Sequence, residues 1–279
     1  MVLIKDTYFQ TTRSHTEDTI DRTYNLETRD DDVFLLSYPR TGTTWTQNIM
    51  LALKRDTEFL KEVTDGETLA HHFTFLELVS HFFTEPVDVR VARQESPRFF
   101  KTHLPVQSAP KEIQEKHRKC VFIFRNPKDC VISFHKFYHS NARLDAPESF
   151  DSFVKEFQDG TVNYGGYWNW CKYWFNYINK NPETCFVMFY EDLLADFDSN
   201  VRALGKFLGF EPSDEKLKAI KEATSIESMS NRIQIFDSFI GQGQSKSYEK
   251  KLSKEVIDDF DRRTRESLSD TGYLDKFLV

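Results

Sequence analysis

The sequence predicts an α/β protein with a mainly parallel sheet that helices cover on both faces. Four short apolar runs have the length of strands, and their near-continuous hydrophobicity is typical of parallel strands buried on both sides. Segments with helical patterns lie between these runs, so strand and helix alternate along the chain. A glycine-containing turn directly follows the first run, and ligands of such sheets bind where the strands end.

The individual elements follow from these patterns. The predicted strands are Val33–Ser37, Phe99–Lys101, Cys120–Phe124 and Cys185–Phe189. The predicted helices are Thr44–Lys54, Pro127–His139 with proline in its first position, Phe150–Phe157, Tyr167–Ile178, Leu217–Glu222 and Lys254–Leu268. Because no Pro/Gly/Ser-rich linker divides the chain, we expect one domain over residues 1–279.

Composition limits the possible functions. The 279 residues are 39% hydrophobic and 15% aromatic, which is enough for a sizeable core. A net charge of −7 argues against a general nucleic-acid binder, although a pocket on an acidic protein can be locally positive. The chain has no apolar run long enough for a membrane span, no signal-peptide pattern at its start and no CxxC spacing among its four cysteines. We therefore expect a cytoplasmic protein with reduced thiols and no zinc site.

The loop after the first strand predicts an anion site. It reads Tyr38-Pro39-Arg40-Thr41-Gly42-Thr43-Thr44-Trp45. A tight turn that opens a helix aims backbone N–H groups and the positive end of the helix dipole at a ligand, while Arg40, Thr43 and Thr44 add a charge and two hydroxyls. The loop departs from a Walker A motif because Ser37 and Thr43 replace its first Gly and its Lys, which disfavours an ATP-dependent kinase. The alternative for the loop alone is a plain turn with a threonine N-cap.

The same octapeptide resembles the 5′-phosphosulfate loop of the cytosolic sulfotransferases. Further segments resemble other motifs of that family in the same order: Arg98–Pro105, Arg125–Ser133, Tyr164–Trp168 and Phe189–Leu193. The similarity extends from Asp30 onward, and the run Asp30–Phe34 is similar to the amine-sulfotransferase branch. The resemblance implies a single α/β domain with a P-loop-like cradle that transfers a sulfuryl group from 3′-phosphoadenosine 5′-phosphosulfate (PAPS) to an acceptor hydroxyl or amine, without a metal.

The resemblance also implies which residues bind PAPS. The loop residues that would hold the 5′-phosphosulfate are Arg40, Thr41, Gly42, Thr43 and Thr44. Trp45 would stack on the adenine, and Tyr190 and Thr224 would contact its edge. An isoleucine, Ile226, stands where the family often has an aromatic residue, so stacking is expected on one side of the ring.

Arg125 and Ser133 are the implied ligands of the 3′-phosphate, and a guanidinium fork suits a phosphate group. The alternative for Arg125 is a surface salt bridge, for instance with Asp129. For the neighbouring Lys128 a surface salt bridge is the preferred interpretation.

The chemistry calls for cations and a base. In an in-line displacement, charge develops on the leaving bridge oxygen, and Arg40 and Lys101 are the cations expected to stabilise it. The acceptor must lose a proton to a base with a pKa near neutrality, which fits His103. Lys101 and His103 are two residues apart at a strand end, so their side chains are predicted on one face. The alternative is that His103 only caps the strand.

The acceptor pocket is expected to be apolar. Its candidates by position are Phe75, Leu78 and Phe137, followed by His135 and Phe82. Each of them is equally plausible as a core residue.

Three features depart from the family pattern. Arg40 replaces the usual lysine, and its planar fork is not equivalent to an ammonium group. The late family motif RKGxxGxWK clamps the 3′-phosphate, and the stretch 239–246 takes its place here without the Arg-Lys pair. Lys246 and Arg232 are the candidates to replace the missing positive charges. Lys250 and Lys251 occupy apolar positions of the family's dimer motif, and like charges at a two-fold contact repel, so a monomer is expected.

A protein that binds PAPS or its product 3′-phosphoadenosine 5′-phosphate (PAP) with reduced or lost turnover is the alternative to an active enzyme. The altered late motif and Arg40 favour that alternative, whereas the joint presence of Lys101, His103, Arg125 and Ser133 favours the enzyme.

Overall fold

The structure, a computed structural model, describes residues 2–4, 7–9, 15–78, 85–141, 144–145, 147–233, 243 and 245–278. The strands are β1 (Val2–Ile4), β2 (Thr7–Phe9), β3 (Val33–Ser37), β4 (Thr74–Phe75), β5 (Phe99–Thr102), β6 (Lys119–Phe124) and β7 (Cys185–Phe189). The first α-helices are α1 (Glu17–Tyr24), α2 (Thr43–Lys54), α3 (Gly66–His72), α4 (Val87–Ala92), α5 (Lys111–Glu115), α6 (Pro127–Ser140) and α7 (Phe150–Asp159). They are followed by α8 (Tyr167–Lys180), α9 (Tyr190–Ala195), α10 (Phe197–Leu208), α11 (Asp214–Ala223), α12 (Ile226–Arg232) and α13 (Lys254–Leu268). Short 3-10 turns span Phe59–Glu62, Pro182–Thr184, Ser247–Lys250 and Leu274–Lys276.

Five strands form one parallel sheet in the order β4-β5-β3-β6-β7, and β1 and β2 form a separate antiparallel pair. The register brings the carboxyl ends of the strands together. Leu36 of β3 pairs with Thr102 of β5, and Phe124 of β6 pairs with Phe189 of β7. Because the strands are parallel, the loops that follow β3, β5, β6 and β7 meet at one edge of the sheet.

Both faces of the sheet are buried. Phe34 and Leu36 pack into the core that contains Trp174 of α8, whereas Leu35 packs into a second core with Ile49 of α2. Successive strand residues point to opposite faces, so each face needs its own apolar set. This explains why the strands read as continuous apolar runs.

The predicted fold class is confirmed. The four predicted strands are present, with β5 one residue longer and β6 beginning at Lys119. Strand β4 was not predicted, because its two residues, Thr74 and Phe75, are too few to show a period. All four cysteines are free thiols, as predicted. Among the described residues, no helix is long and apolar enough to cross a membrane.

Candidate active site

The loop between β3 and α2 forms an uncapped helix start. Arg40 has φ 71° and Gly42 has φ 111°, so the chain passes twice through the left-handed region within three residues. A Cβ atom on Gly42 would lie 2.9 Å from Cδ2 of Tyr190, so only glycine fits this position without a shift. Gly42 itself is the N-cap of α2, and no side chain caps the helix. The alternative of a turn with a threonine N-cap is therefore wrong, and the N–H groups of the first turn are suited to an anionic ligand.

The loop hydroxyls hold the cradle in shape. Thr41 Oγ1 donates a hydrogen bond to the Tyr38 carbonyl oxygen at 2.8 Å. Thr43 Oγ1 lies 2.8 Å from Ser37 Oγ at the end of β3. Thr44 follows in the first turn of α2 with its side chain half-buried. The cradle is thus fastened to the strand that precedes it.

Two arginines meet behind the cradle. Arg40 Nε donates to Ser133 Oγ at 3.2 Å, and Arg125 Nη1 donates to the Arg40 carbonyl oxygen at 3.1 Å. Burial, together with the charge of Arg125, lowers the pKa of Arg40 to about 10. Arg40 and Arg125 thus bring two positive charges to this loop.

Surface salt bridges were the alternative for Arg125 and the preferred interpretation for Lys128. Neither residue forms one at the surface. Arg125 is only 8% exposed, and Asp129 accepts hydrogen bonds from the segment 246–248. The surface alternative for Arg125 is therefore wrong. Lys128 does form an ion pair, with Nζ 2.6 Å from Asp261 Oδ1, but its side chain is buried rather than at the surface.

His103 follows β5 and has a defined tautomer. Its Nδ1 lies 2.6 Å from the Ser37 carbonyl oxygen, which can only accept a hydrogen bond. Nδ1 therefore carries the proton, and Nε2 keeps its lone pair. Burial, together with the charge of Lys101, lowers the pKa of His103 to about 3, so the ring is neutral at physiological pH. The expectation of a pKa near neutrality is therefore wrong for this ring, because burial disfavours its charged form.

A buried carboxyl group and a lysine adjoin this histidine. Glu77 Oε1 accepts a hydrogen bond from the backbone N–H of His103 at 2.7 Å, and burial raises the pKa of Glu77 to about 7. Burial also lowers the pKa of Lys101 to about 8, while the charge of Glu77 acts in the opposite direction. The Phe75 ring lies 4.2 Å from Lys101 Nζ and 5.2 Å from the His103 ring. The structure thus brings Lys101, His103 and Phe75 together.

An aromatic wall continues beyond His103. The Tyr164 ring contacts the His103 ring at 5.2 Å and the His15 ring at 5.3 Å. His15 Nε2 lies 2.8 Å from the Tyr164 hydroxyl, and the His15 ring stacks on Phe9. Burial lowers the pKa of His15 to about 3, so this second imidazole is also neutral.

The residues assigned to adenine lie on the other side of the cradle. Trp45 stacks on Phe197 at 6.1 Å and meets the Tyr190 ring edge-on at 5.6 Å. Arg125 Cζ lies 4.3 Å from the centroid of the Tyr190 ring. Thr224 is buried and donates its hydroxyl proton to the Ile220 carbonyl oxygen at 2.8 Å. One face of Trp45 is thus taken by Phe197.

Part of the late loop reaches this region. A Cβ atom on Gly243, where φ is 63°, would lie 1.6 Å from Cδ1 of Ile226. Arg232 donates to the carbonyl oxygens of residues 60 and 63 and to Asn48 Oδ1, all at 2.7–2.8 Å. These bonds make Arg232 a poor substitute for the missing phosphate-clamping cations. Lys246 has an exposed side chain, and its backbone N–H is bonded to Asp129 Oδ2.

The remaining acceptor candidates that the structure describes lie on α6 and shortly after β4. The Phe137 ring lies 5.0 Å from Arg40 Cζ, and Leu78 is partly exposed and directly follows Glu77. His135 lies against Phe150 of α7 at 5.0 Å. Phe82 lies outside the described residues.

Sequence reasoning missed Ser37, Glu77, Tyr164 and His15 as parts of the site. Glu77 left one signal, an acidic residue in the apolar run Phe73–Leu78. Ser37 bonds both Thr43 and His103, but a serine at a strand end carries no such signal in the sequence. Among the described residues, no group of three or more His, Cys, Asp or Glu side chains is arranged to hold a metal ion.

Comparisons with known proteins identify the family. The protein-family model described as "Sulfotransferase domain" matches residues 30–272 of this chain. Bovine Sulfotransferase 1E1 is 34% identical over 208 residues, which is 74% of this chain and 68% of that protein. Rabbit Amine sulfotransferase is 32% identical over 74% of this chain and 65% of its own length.

Solved structures show the same fold. Mouse sulfotransferase SULT7A1, complexed with PAP, superposes with a TM-score of 0.84 at 22% identity over 99% of this chain and 96% of its own. Retinol dehydratase in complex with androsterone and PAP gives a TM-score of 0.78 at 21% identity over 91% of this chain and 85% of its own. The chain belongs to the sulfotransferase family, and its class is that of the PAPS-dependent sulfotransferases.

Proposed function

We propose that this protein transfers a sulfuryl group from PAPS to the hydroxyl or amine of a small, mostly apolar acceptor, with His103 as the general base. The observation that carries the proposal is the state of His103. Its ring is neutral, its Nδ1 proton is bonded to the Ser37 carbonyl oxygen, and Nε2 keeps a lone pair beside Lys101. A base must be unprotonated before it can accept the acceptor's proton.

The residues present fit PAPS. The uncapped start of α2 with Thr41, Gly42, Thr43 and Thr44 suits the 5′-phosphosulfate, which supplies the sulfuryl group when bound. Arg125 and Ser133 are the proposed ligands of the 3′-phosphate, and the hydrogen bonds that join each of them to Arg40 support their assignment to one site. Trp45, Tyr190 and Thr224 are the proposed adenine contacts, and the packing of Trp45 against Phe197 and Tyr190 fixes the position of its ring.

The proposed reaction is an in-line displacement. The acceptor oxygen or nitrogen forms a bond to sulfur while the bond from sulfur to the bridging phosphate oxygen breaks. His103 Nε2 takes the acceptor's proton, and Lys101 and Arg40 stabilise the negative charge that develops on the leaving phosphate oxygen. Glu77 fixes the backbone of His103 through the 2.7 Å bond to its N–H and thereby positions the base.

The acceptor pocket is proposed to be apolar around this base. Phe75 lies against both His103 and Lys101, and Phe137 lies beside Arg40. Together with Leu78 they form our proposed acceptor contacts. Such a surface favours small aromatic or aliphatic acceptors whose reactive group is their main polar group.

We also propose a cytoplasmic monomer. Lys250 and Lys251 are both exposed, and the repulsion between two copies of these charges disfavours a dimer through this segment. Light scattering that detects a stable dimer of the wild-type protein would contradict this, whereas a dimer that forms only after Lys250→Thr and Lys251→Val would support it.

An acceptor panel tests the proposed reaction. The purified protein is incubated with PAPS and a phenol, an aliphatic alcohol or an amine, and PAP formation is followed together with the sulfated product. We expect equal amounts of both with at least one acceptor, and no transfer when adenosine 5′-phosphosulfate, which lacks the 3′-phosphate, replaces PAPS. Tight PAP binding without turnover on any acceptor would contradict the proposal.

A further inference from the structure

The N-terminal segment contributes a buried histidine to the wall of the proposed active site. His15 directly precedes Thr16, the N-cap of α1, and is only 4% exposed. The family model matches residues 30–272, so this histidine lies outside the matched part of the chain. Its ring stacks on Phe9 of β2, with the ring centroids 4.6 Å apart. A polar ring buried among aromatic side chains calls for a reason, because its burial is unfavourable unless it makes a hydrogen bond.

The His15 ring makes one hydrogen bond with the described part of the chain. Its Nε2 lies 2.8 Å from the Tyr164 hydroxyl oxygen, while its Nδ1 has no hydrogen-bond partner among the described residues. Burial lowers the pKa of His15 to about 3, so the ring is neutral and the bond joins two uncharged groups. This bond sets the orientation of the His15 and Tyr164 side chains relative to each other.

Tyr164 has a fixed backbone and a side chain that His15 orients. Its φ is 71°, and the Gly165 N–H closes the turn around it by donating to the Val162 carbonyl oxygen at 2.9 Å. The Tyr38 hydroxyl donates to the Gly165 carbonyl oxygen at 2.6 Å. These bonds hold the main chain, but they do not determine the rotation of the tyrosine side chain. The bond between the Tyr164 hydroxyl and His15 fixes that rotation.

The oriented tyrosine ring lies against the proposed base. Tyr164 meets the His103 ring nearly edge-on, with 5.2 Å between the ring centroids and 76° between the ring planes. The bond from His103 Nδ1 to the Ser37 carbonyl oxygen holds one atom of the imidazole, and the ring can still tilt about that atom. A neighbouring ring limits this tilt and therefore the direction of the Nε2 lone pair. Alignment matters for the rate, because a misplacement of about 1 Å can slow a reaction by about 100-fold.

We propose that His15 is a positioning residue that acts through Tyr164 on His103. The hydrogen bond between His15 and Tyr164 holds the tyrosine ring against the imidazole, which keeps His103 Nε2 directed at the acceptor's proton. This inference rests on the proposed function, in which His103 is the general base. Because His15 acts only on the base in this role, its loss impairs removal of the acceptor's proton and leaves the binding of PAPS intact.

Two acceptors of different acidity test this role. An aliphatic alcohol keeps its proton until a base removes it, whereas a nitrophenol is largely ionised at slightly alkaline pH and needs no base. We expect His15→Phe to slow single-turnover transfer to the alcohol by about 10- to 100-fold and transfer to the nitrophenol by less than about threefold. Phenylalanine keeps the stack on Phe9, so the PAP affinity and the melting temperature should stay close to the wild-type values.

Matched variants identify the route of the effect. Tyr164→Phe removes the same hydrogen bond from its other end, so it tests the proposal even if His15→Phe fails to fold. Adding His15→Phe to Tyr164→Phe should cause no further loss. His15→Gln offers an amide nitrogen to the Tyr164 hydroxyl and is expected to restore most of the alcohol rate. His71→Phe makes the same change at an exposed histidine and should leave both rates unchanged.

Several results would overturn the role of His15. They are equal slowing with both acceptors in His15→Phe, an unchanged alcohol rate, and additive losses in the double variant. His103→Ala separates this inference from the proposed function, because loss of the base itself must also spare the nitrophenol relative to the alcohol. A His103→Ala variant that keeps the wild-type rate with the alcohol would instead contradict the proposed function.

Discussion

Lys101 gives the proposed reaction a distinctive pH dependence. Its ammonium group lies 4.2 Å from the Phe75 ring, and burial lowers its pKa to about 8 from an ordinary value of 10.5. The protonated form is the one that can stabilise charge on the leaving phosphate oxygen. Activity that depends on this charge is therefore complete below this pKa and is lost as the pH rises through it.

The size of the effect follows from the pKa. One unit above its pKa, about one tenth of the group is still protonated, so kcat/KM for PAPS is expected to fall about tenfold between about pH 7 and about pH 9. Lys101→Arg keeps its charge over this range because the pKa of arginine is above 12. Glu77→Gln removes the carboxylate that raises the pKa of Lys101, so its alkaline limb is expected at lower pH.

The assay is a profile of kcat/KM for PAPS, which reports on groups of the free enzyme. An aliphatic alcohol serves as the acceptor because its hydroxyl does not titrate in this range, unlike a phenol. We expect the alkaline limb in the wild-type protein and a flat profile in Lys101→Arg, whatever the absolute rate of that variant. The reasoning is refuted if both proteins lose activity with the same midpoint.

Three further changes have defined outcomes. Gly42→Ala puts a Cβ 2.9 Å from Tyr190 at φ 111°, so a thermal melt should show a loss of about 1–3 kcal/mol, and calorimetry should show weaker PAP binding. Asp32→Ala leaves buried Arg98 without the carboxylate that its Nη2 contacts at 2.6 Å. Urea unfolding should therefore show a free energy of unfolding lower by about 3–5 kcal/mol, and replacing both residues by an apolar pair should recover much of this loss. Asp129→Ala removes three hydrogen bonds from the segment that it fastens to α6, so limited trypsin digestion should cut there faster, and an unchanged cleavage rate would contradict this role.

The sheet was predictable because its strands are buried on both faces and therefore leave a strong pattern. The runs Val33–Ser37 and Cys185–Phe189 are strands with the predicted bounds. The short β4 left no period, and with it the position of Glu77 beside His103 was hidden. A carboxyl group that lies 26 residues before His103 in the sequence and reaches it only by tertiary contact has no local signature.

The site was predictable where a motif joins residues that are close in sequence. Lys101 and His103 share a strand end, and Arg40, Gly42 and Thr43 share one loop. The contacts that join separate segments were not predictable, because they depend on how helices pack. The link from Asp129 to the segment 246–248 and the commitment of Arg232 to backbone carbonyls are of this kind.

The most direct test of the account is a single-turnover measurement of sulfuryl transfer by His103→Ala, with PAP binding measured on the same preparation. The account predicts a transfer rate lower by about 10²- to 10⁴-fold, the usual contribution of a general base, and a PAP affinity within about threefold of the wild-type value. Transfer at the wild-type rate by a variant that binds PAP normally would show that His103 is not the base.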